Sequence, residues 1–350
     1  MKHLGIYFKI LIVSVLFLTS CHKESLTTLK GCWLAVSENH PNNSIWQGEW
    51  NVTDESISLN ATVNSYSIED TIIIINDSIE GVISKMTKNE VCVVLGSDAN
   101  IDTILLYRGG LGVTKGLFTI NSKGDQVRFS KGNLQYIGSA ETPYWKFADS
   151  QNEVIGNANN SNEETANRDL FGWGTSGYNH GAINYQPWST SEDWNNYNPY
   201  ESSSCNLNDN SGQADWGYNK ILNGGDEEHR WSTLTAQEWD YILHGRNMSK
   251  SEKSYIISST NNDSIMFLTL IPDDFKGNRY DEAHGCVLLP ATGRRIGDTV
   301  YDFGSYGAYW TSSGYGDCCA YELKFDNVSI TTSYNSSRAY GQAVRLVRRL

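Results

Sequence analysis

The sequence predicts two β-rich domains: a small all-β, barrel-like domain over residues 30–109, followed by a larger α+β domain with long loops over 116–350. Three observations point there. Between Leu29 and Arg108, short apolar runs alternate with polar turns, the spacing of a meander of strands. Gly109-Gly110-Leu111-Gly112 then interrupts the chain, and beyond Gly116 the composition shifts toward Trp, Asn and Gly. In that second part helical signals are confined to one capped segment after Thr235, set among strand-like pieces.

Taken in order, residues 1–21 read as a processing signal. Lys2 and Lys9 give a positive start, Ile10–Leu18 is an apolar run too short to span a membrane, and Leu18-Thr19-Ser20-Cys21 follows. That tetrapeptide resembles the bacterial lipobox, which implies that Cys21 is acylated and becomes the first residue of the processed protein. One acyl chain holds only marginally, so lipobox processing adds more than one. The expectation is a protein lipid-anchored to the outer membrane, facing outward from the cell, with residues 22–29 as a tether. Processing leaves about 330 of 350 residues, enough for two domains.

In the first domain the predicted strands are Cys32–Val36, Ser44–Val52, Ile57–Leu59, Thr71–Ile75, Gly81–Ser84, Val91–Leu95 and Thr103–Tyr107. Thr71-Ile72-Ile73-Ile74-Ile75 is β-branched throughout and predicts a buried strand. Gly31-Cys32-Trp33 and the terminal Arg108 resemble small lipocalin-like domains of bacterial lipoproteins, in which an Arg packs on the opening Trp. So short a barrel is expected to be filled by side chains, as a spacer or accessory module.

The second domain should open with a hairpin of Phe118-Thr119-Ile120 and Val127–Ser130, followed by strands at Gly132–Tyr136 and Trp145–Phe147. Residues 149–215 lack periodicity and are predicted to be loop, anchored by Trp173, Trp188 and Trp194. Thr235 with Glu238 three residues on is a capping box, starting a helix to about Arg246 that buries Trp239, Ile242 and Leu243. Ser264–Ile271 and Gly285–Leu289 read as strands ended by Pro272 and Pro290.

Several separated motifs of this second domain occur together in one known family. Phe129–Tyr136, Asp169–Gly177, Tyr185–Thr190, Trp231–Trp239, Tyr309–Ser313 and Gly341–Arg348 resemble lipoproteins of Bacteroidales. The domain concerned is the Fibrobacter succinogenes major paralogous type, related to the C-type-lectin and formylglycine-generating-enzyme fold. The resemblance implies an α+β C-type-lectin-like head with long loops behind the small all-β barrel-like domain. Some members are similar to target proteins of diversity-generating retroelements, whose template adenines are copied erroneously. An Asn codon changed at its first two bases cannot yield Lys, Glu, Gln, Met or Trp. Asp302–Tyr309, Gly314–Tyr321 and Ser333–Tyr340 contain none of these, while Trp310, Glu322, Lys324 and Gln342 lie outside them.

Those segments are also built from Tyr, Ser, Gly, Asn and Asp, which supply stiff aromatic contact area and adaptable hydrogen bonds. The predicted ligand face is Tyr301, Asp302, Ser305, Tyr306, Tyr315, Asp317, Tyr321, Tyr334, Asn335, Ser337, Arg338 and Tyr340. Tyr and Arg are its expected hot spots, and Trp310, Leu323, Phe325, Val344 and Leu346 its frame. The partner class is a protein or glycan. A net charge of −13 argues against nucleic acid.

No metal, cofactor or catalytic grouping is predicted. His40, His180, His229, His244 and His284 are dispersed, and no Cys-x-x-Cys occurs. Asp226-Glu227-Glu228 and Asp273-Asp274 read as solvated loop and turn rather than calcium ligands. Cys318-Cys319 does not reproduce the separated thiol pair of formylglycine-generating enzymes and has no flanking cation. Cys32–Cys92 and Cys205–Cys286 are candidate disulfides of an oxidising compartment, with free thiols as the alternative. A surface receptor is therefore expected, with an enzyme of the formylglycine-generating type or a structural lipoprotein without a specific ligand as alternatives.

Overall fold

The computed structural model describes residues 29–40, 44–69, 71–96, 101–178, 185–193, 205–248, 254–259 and 265–350. Cys21, residues 22–28 of the expected tether, His180 and Trp194 lie outside them, whereas Leu29 is buried in the core of the first unit. The chain forms two compact units divided between Leu111 and Gly112. Gly109, Gly110 and Gly112 sit at φ of 123°, 75° and 85°. Residues with a Cβ take such values only at a cost, which explains the glycines.

The first unit is a closed barrel of eight antiparallel strands in sequence order. They are β1 (Gly31–Ser37), β2 (Gly48–Val52), β3 (Ser56–Leu59), β4 (Thr62–Glu69), β5 (Ile72–Ile75), β6 (Ile79–Met86), β7 (Glu90–Leu95) and β8 (Asp102–Arg108). Pairing of β1 with β8, Trp33 opposite Arg108, closes the ring and removes the exposed edges of an open sheet. Alternate residues point inward, so Trp33, Trp50, Ile73, Val93, Ile104 and Leu106 join one buried apolar cluster. The Arg108 guanidinium lies 4.2 Å from the centre of the Trp33 ring and donates to the carbonyl of Lys30.

Two local expectations are corrected here, and the alternative left open for Cys32 and Cys92 is decided. Ile72–Ile75 is half-buried: Ile73 and Ile75 face the core while Ile72 and Ile74 are partly exposed, the alternation of a strand with one solvated face. Residues 44–47 are a turn before β2, and Thr62–Glu69, too polar to stand out, is a full strand. Cys32 and Cys92 are not joined in a disulfide. They lie on β1 and β7 with β8 between them, and Cys92 is level with Val36, four residues along β1 from Cys32, so they are beyond the reach of a disulfide.

The second unit is not the α+β C-type-lectin-like head that the resemblance implied. Strands dominate it, arranged as small separate sheets. These are β9 (Phe118–Thr119), β10 (Gln126–Phe129), β11 (Leu134–Ile137), β12 (Tyr144–Phe147), β13 (Tyr255–Ser259), β14 (Met266–Leu270), β15 (Val287–Pro290), β16 (Arg294–Ile296), β17 (Thr299–Tyr301), β18 (Gly307–Tyr315), β19 (Cys319–Phe325), β20 (Ile330–Ser337) and β21 (Val347–Arg349). Among the described residues one α-helix occurs, α1 (Ala236–Asp240), continuing as a π turn over Tyr241–Gly245. Its capping box is complete: Thr235 Oγ1 accepts from the Glu238 amide and Glu238 Oε2 from the Thr235 amide, at 3.1 and 2.8 Å.

Helix is scarce because the polar stretch after β12 carries no 3.6-residue apolar repeat and satisfies its backbone by other means. Buried Asp169, for example, accepts from the Ile155 amide and the Asn159 side chain, both at 2.8 Å. The unit's core gathers Phe129, Trp239, Leu268, Tyr309, Leu323 and Phe325 from three sheets and the helix. Cys205 and Cys286 are buried and not joined in a disulfide. Cys286 packs in a satellite cluster with Ile271 and Phe275, whereas the Cys205 carbonyl backs onto Gly314. Asp273 is a structural anchor: it receives the Thr119 amide and hydroxyl and pairs with Arg246 at 2.8 Å.

Candidate binding face

The three tyrosine-rich segments converge on the meander β18-β19-β20 and on the β16-β17 hairpin that precedes it. Register decides which side each side chain takes. Tyr315 pairs with Cys319, Cys319 with Ser337, and Tyr321 with Asn335. Directly paired residues share a face, and alternate residues return to it. Tyr315, Tyr321, Asn335 and Ser337 therefore lie on one side of the sheet, the side that further along carries Leu323 and Phe325 into the core. Glu322 pairs with Tyr334, which puts Tyr334 and Lys324 on the other side. The predicted single face is thus two.

The side bearing Tyr334 is a connected patch. Lys324 Nζ sits 4.7 Å from the centre of the Tyr334 ring and 5.3 Å from that of Tyr306. The Arg294 guanidinium lies 5.4 Å from the Tyr306 ring and pairs with Asp302 at 3.4 Å. Arg294 is opposite Tyr301 in the β16-β17 hairpin, so Tyr301, Asp302 and Tyr306 continue the patch, with Ser305 exposed in the adjoining turn. Tyr301 and Tyr334 are 44% and 47% exposed, and the Tyr334 ring is nonetheless held by Lys324. Cation–π contacts of this kind contribute about 0.5–1 kcal/mol each when exposed, enough to bias ring orientation before a ligand arrives.

Beneath the patch lies a buried acid. Glu322 accepts from the Tyr306 hydroxyl at 3.0 Å and from the Gln342 amide. Burial raises its pKa against the pull of its Ser336, Gln342 and Tyr306 donors. Burial, then the Glu322 charge, pushes the Tyr306 phenol above its usual range, so this hydroxyl stays a donor. Glu322 and Gln342 orient the Tyr306 hydroxyl from below while Lys324 and Arg294 hold its ring from the side.

The opposite side offers a smaller cluster. Tyr315 and Tyr321 meet edge to face with ring centres 5.2 Å apart. Tyr315 is half exposed, and Asp317 is exposed in the adjoining turn. Tyr340 belongs to neither patch: it is half-buried in the turn after β20, its amide donating to the Ser337 carbonyl at 3.0 Å.

Arg338 corrects the expectation of a hot spot. It is fully buried, its guanidinium 4.5 Å from the centre of the Trp173 ring, and it donates to the carbonyls of Cys319 and Gly316 at 2.8 Å each. It fastens the β18-β19 turn to the body of the unit. Trp310, Leu323, Phe325, Val344 and Leu346 are all buried. Sequence reasoning missed Arg294 and took Lys324 for part of the framing sequence. The alternation Glu322-Leu323-Lys324 around a core Leu carried the signal for Lys324; Arg294 had none.

Among the described residues there is no grouping of three or more His, Cys, Asp or Glu able to hold a metal ion, and no helix long and apolar enough to cross a membrane. Comparison with protein-family models, curated proteins and solved structures finds no match.

Proposed function

We propose that this chain is a ligand-binding protein, anchored to a membrane through lipid on Cys21, that grips a protein or glycan with the patch formed by Tyr301, Arg294, Tyr306, Lys324 and Tyr334. One observation carries the reading: Lys324 bridges the exposed Tyr334 ring and the half-buried Tyr306 ring through cation–π contacts above a buried frame, with exposed Tyr301 beside them. Tyrosine rings with few torsions to freeze lose little entropy on binding, and both a sugar face and a peptide side chain stack on them. The polar fringe of Asp302, Ser305 and the two cations supplies hydrogen bonds of both signs at the rim.

The barrel is an accessory module in this reading. The resemblance to retroelement-diversified lipoproteins supports variation of the loop residues over constant Trp310, Glu322 and Gln342, which are buried and bond to the frame. The test is a screen of the full-length protein on glycan and protein arrays beside Tyr334→Ala and Lys324→Ala. Hits held by the parent and lost by both variants support the proposal, and hits that survive both variants overturn this patch as their site.

A further inference from the structure

Cys318 and Cys319 take no part in the proposed ligand face: Cys319 lies on the side of the sheet opposite Tyr334. Within a strand, adjacent side chains point to opposite faces and adjacent thiols cannot meet. Here the turn Gly316–Cys318 leads into β19, whose first residue is Cys319. At that corner the two sulfurs converge to 2.8 Å. Both residues are partly exposed. Their backbone is held from one side by a single buried residue, since the Arg338 amide donates to the Cys318 carbonyl at 2.9 Å and its Nε to the Cys319 carbonyl at 2.8 Å. The four other described cysteines are separated from this pair: Cys32 and Cys92 belong to the barrel, and Cys205 and Cys286 are buried.

We propose that Cys318 and Cys319 form a redox-active modification site that closes reversibly to a disulfide between neighbouring residues, with a small-molecule or protein disulfide as its oxidant. The Cys318 thiolate attacks one sulfur of the incoming disulfide, whose S–S bond breaks as one thiolate leaves. Cys319 then loses its proton to solvent and attacks the Cys318 sulfur of the mixed disulfide, and the second thiolate leaves. Both released thiolates take protons from water. The cysteine pair loses two electrons and two protons, and the incoming disulfide gains them.

Burial, and then the hydrogen bond to Cys318, raise the Cys319 thiol, and the first attack is assigned to Cys318 because its residue closes the exposed turn before β19. The bond so formed is easily reversed. Cα atoms across a trans peptide are about 3.8 Å apart, below the usual disulfide range of about 4.4–6.8 Å. Such strained, exposed bonds belong to the readily reduced class. Closing the ring also twists the first residue of β19, whose register partner is Tyr315, so oxidation is coupled to the Tyr315–Tyr321 side of the sheet.

The test exposes full-length protein to glutathione buffers of rising disulfide content, traps free thiols with iodoacetamide and maps peptides by mass spectrometry. The expected result is a Cys318-Cys319 peptide two hydrogens lighter, closed to alkylation and restored by dithiothreitol. Cys318→Ser and Cys319→Ser should instead hold a glutathione adduct on the remaining thiol, because nothing resolves it. Two separate adducts on the parent pair, or full alkylation of both cysteines in the most oxidising buffer, would overturn the proposal. The parent protein alone decides the matter, so poor folding of either variant leaves the test intact.

Discussion

Replacing Arg338 with Ala separates the two roles that sequence and structure assign to it. The substitution removes two charge-assisted hydrogen bonds, to the Cys319 and Gly316 carbonyls, and the stacking on Trp173. Each bond from a charged donor contributes about 1.5–3 kcal/mol, and a desolvated cation–π contact about 2 kcal/mol. The two carbonyls and the Trp173 face would be left beside a cavity, which adds cost. A loss of about 5 kcal/mol is expected, comparable with the whole stability of a small domain. Urea unfolding followed by tryptophan fluorescence would show it as an earlier transition of the second unit, with the barrel transition unmoved. A loss under about 1 kcal/mol accompanied by abolished ligand binding would refute the framing role and restore Arg338 to the contact surface.

Three further outcomes follow from the same geometry. Thr235→Ala removes the capping hydroxyl of α1 and should cost about 1 kcal/mol in the same unfolding assay; no change would mean that the box is idle. Burial raises the Asp169 carboxyl to about 6, against the Ile155 and Asn159 donors that pull it down. The folded state then holds this proton more tightly than the unfolded chain, so the contribution is full below about pH 4 and declines as pH rises to about 6, by about 3 kcal/mol. Asp169→Asn should flatten that part of the profile relative to the parent, although it loses a bond to Asn159; an unchanged difference between parent and variant across pH 4–7 would contradict it. Cys21→Ser should move the protein from the membrane fraction to the soluble fraction, and retention with the membrane would dispose of the lipid anchor.

Much of the barrel was legible because its strands obey a period of two: Val91-Cys92-Val93-Val94-Leu95 buries its alternate residues and so announces itself. Thr62–Glu69 did not, since polar Thr62 and Asn64 take inward positions while apolar Val63 faces outward, which blurs the alternation. The helix was legible from Thr235 and Glu238, whose side chains complete a local hydrogen-bond cycle. The class of the second unit was not, because the motifs shared with a known family are short loop and strand segments that leave the intervening architecture open.

The binding face was half legible. Composition located the loops, but the side each residue faces depends on register across β18, β19 and β20. That register includes irregularities between Trp310 and Gly314 and between Glu322 and Lys324. A one-residue change moves every following side chain to the other face. Tyr315 and Tyr334 therefore look alike in sequence and lie on opposite sides. Arg338, flanked by Ser337 and Ala339, reads as loop until Trp173, far upstream, is seen beneath it.

The most direct test of the account compares Tyr334→Ala with Tyr315→Ala by surface plasmon resonance against the strongest array hit, with unfolding curves as the folding control. The account predicts that Tyr334→Ala weakens binding at least tenfold, about 1.4 kcal/mol, while Tyr315→Ala leaves it within about twofold, both with unchanged stability. Equal losses at both positions, or a loss at Tyr315 alone, would contradict the assignment of the ligand to the Tyr334 side of the sheet.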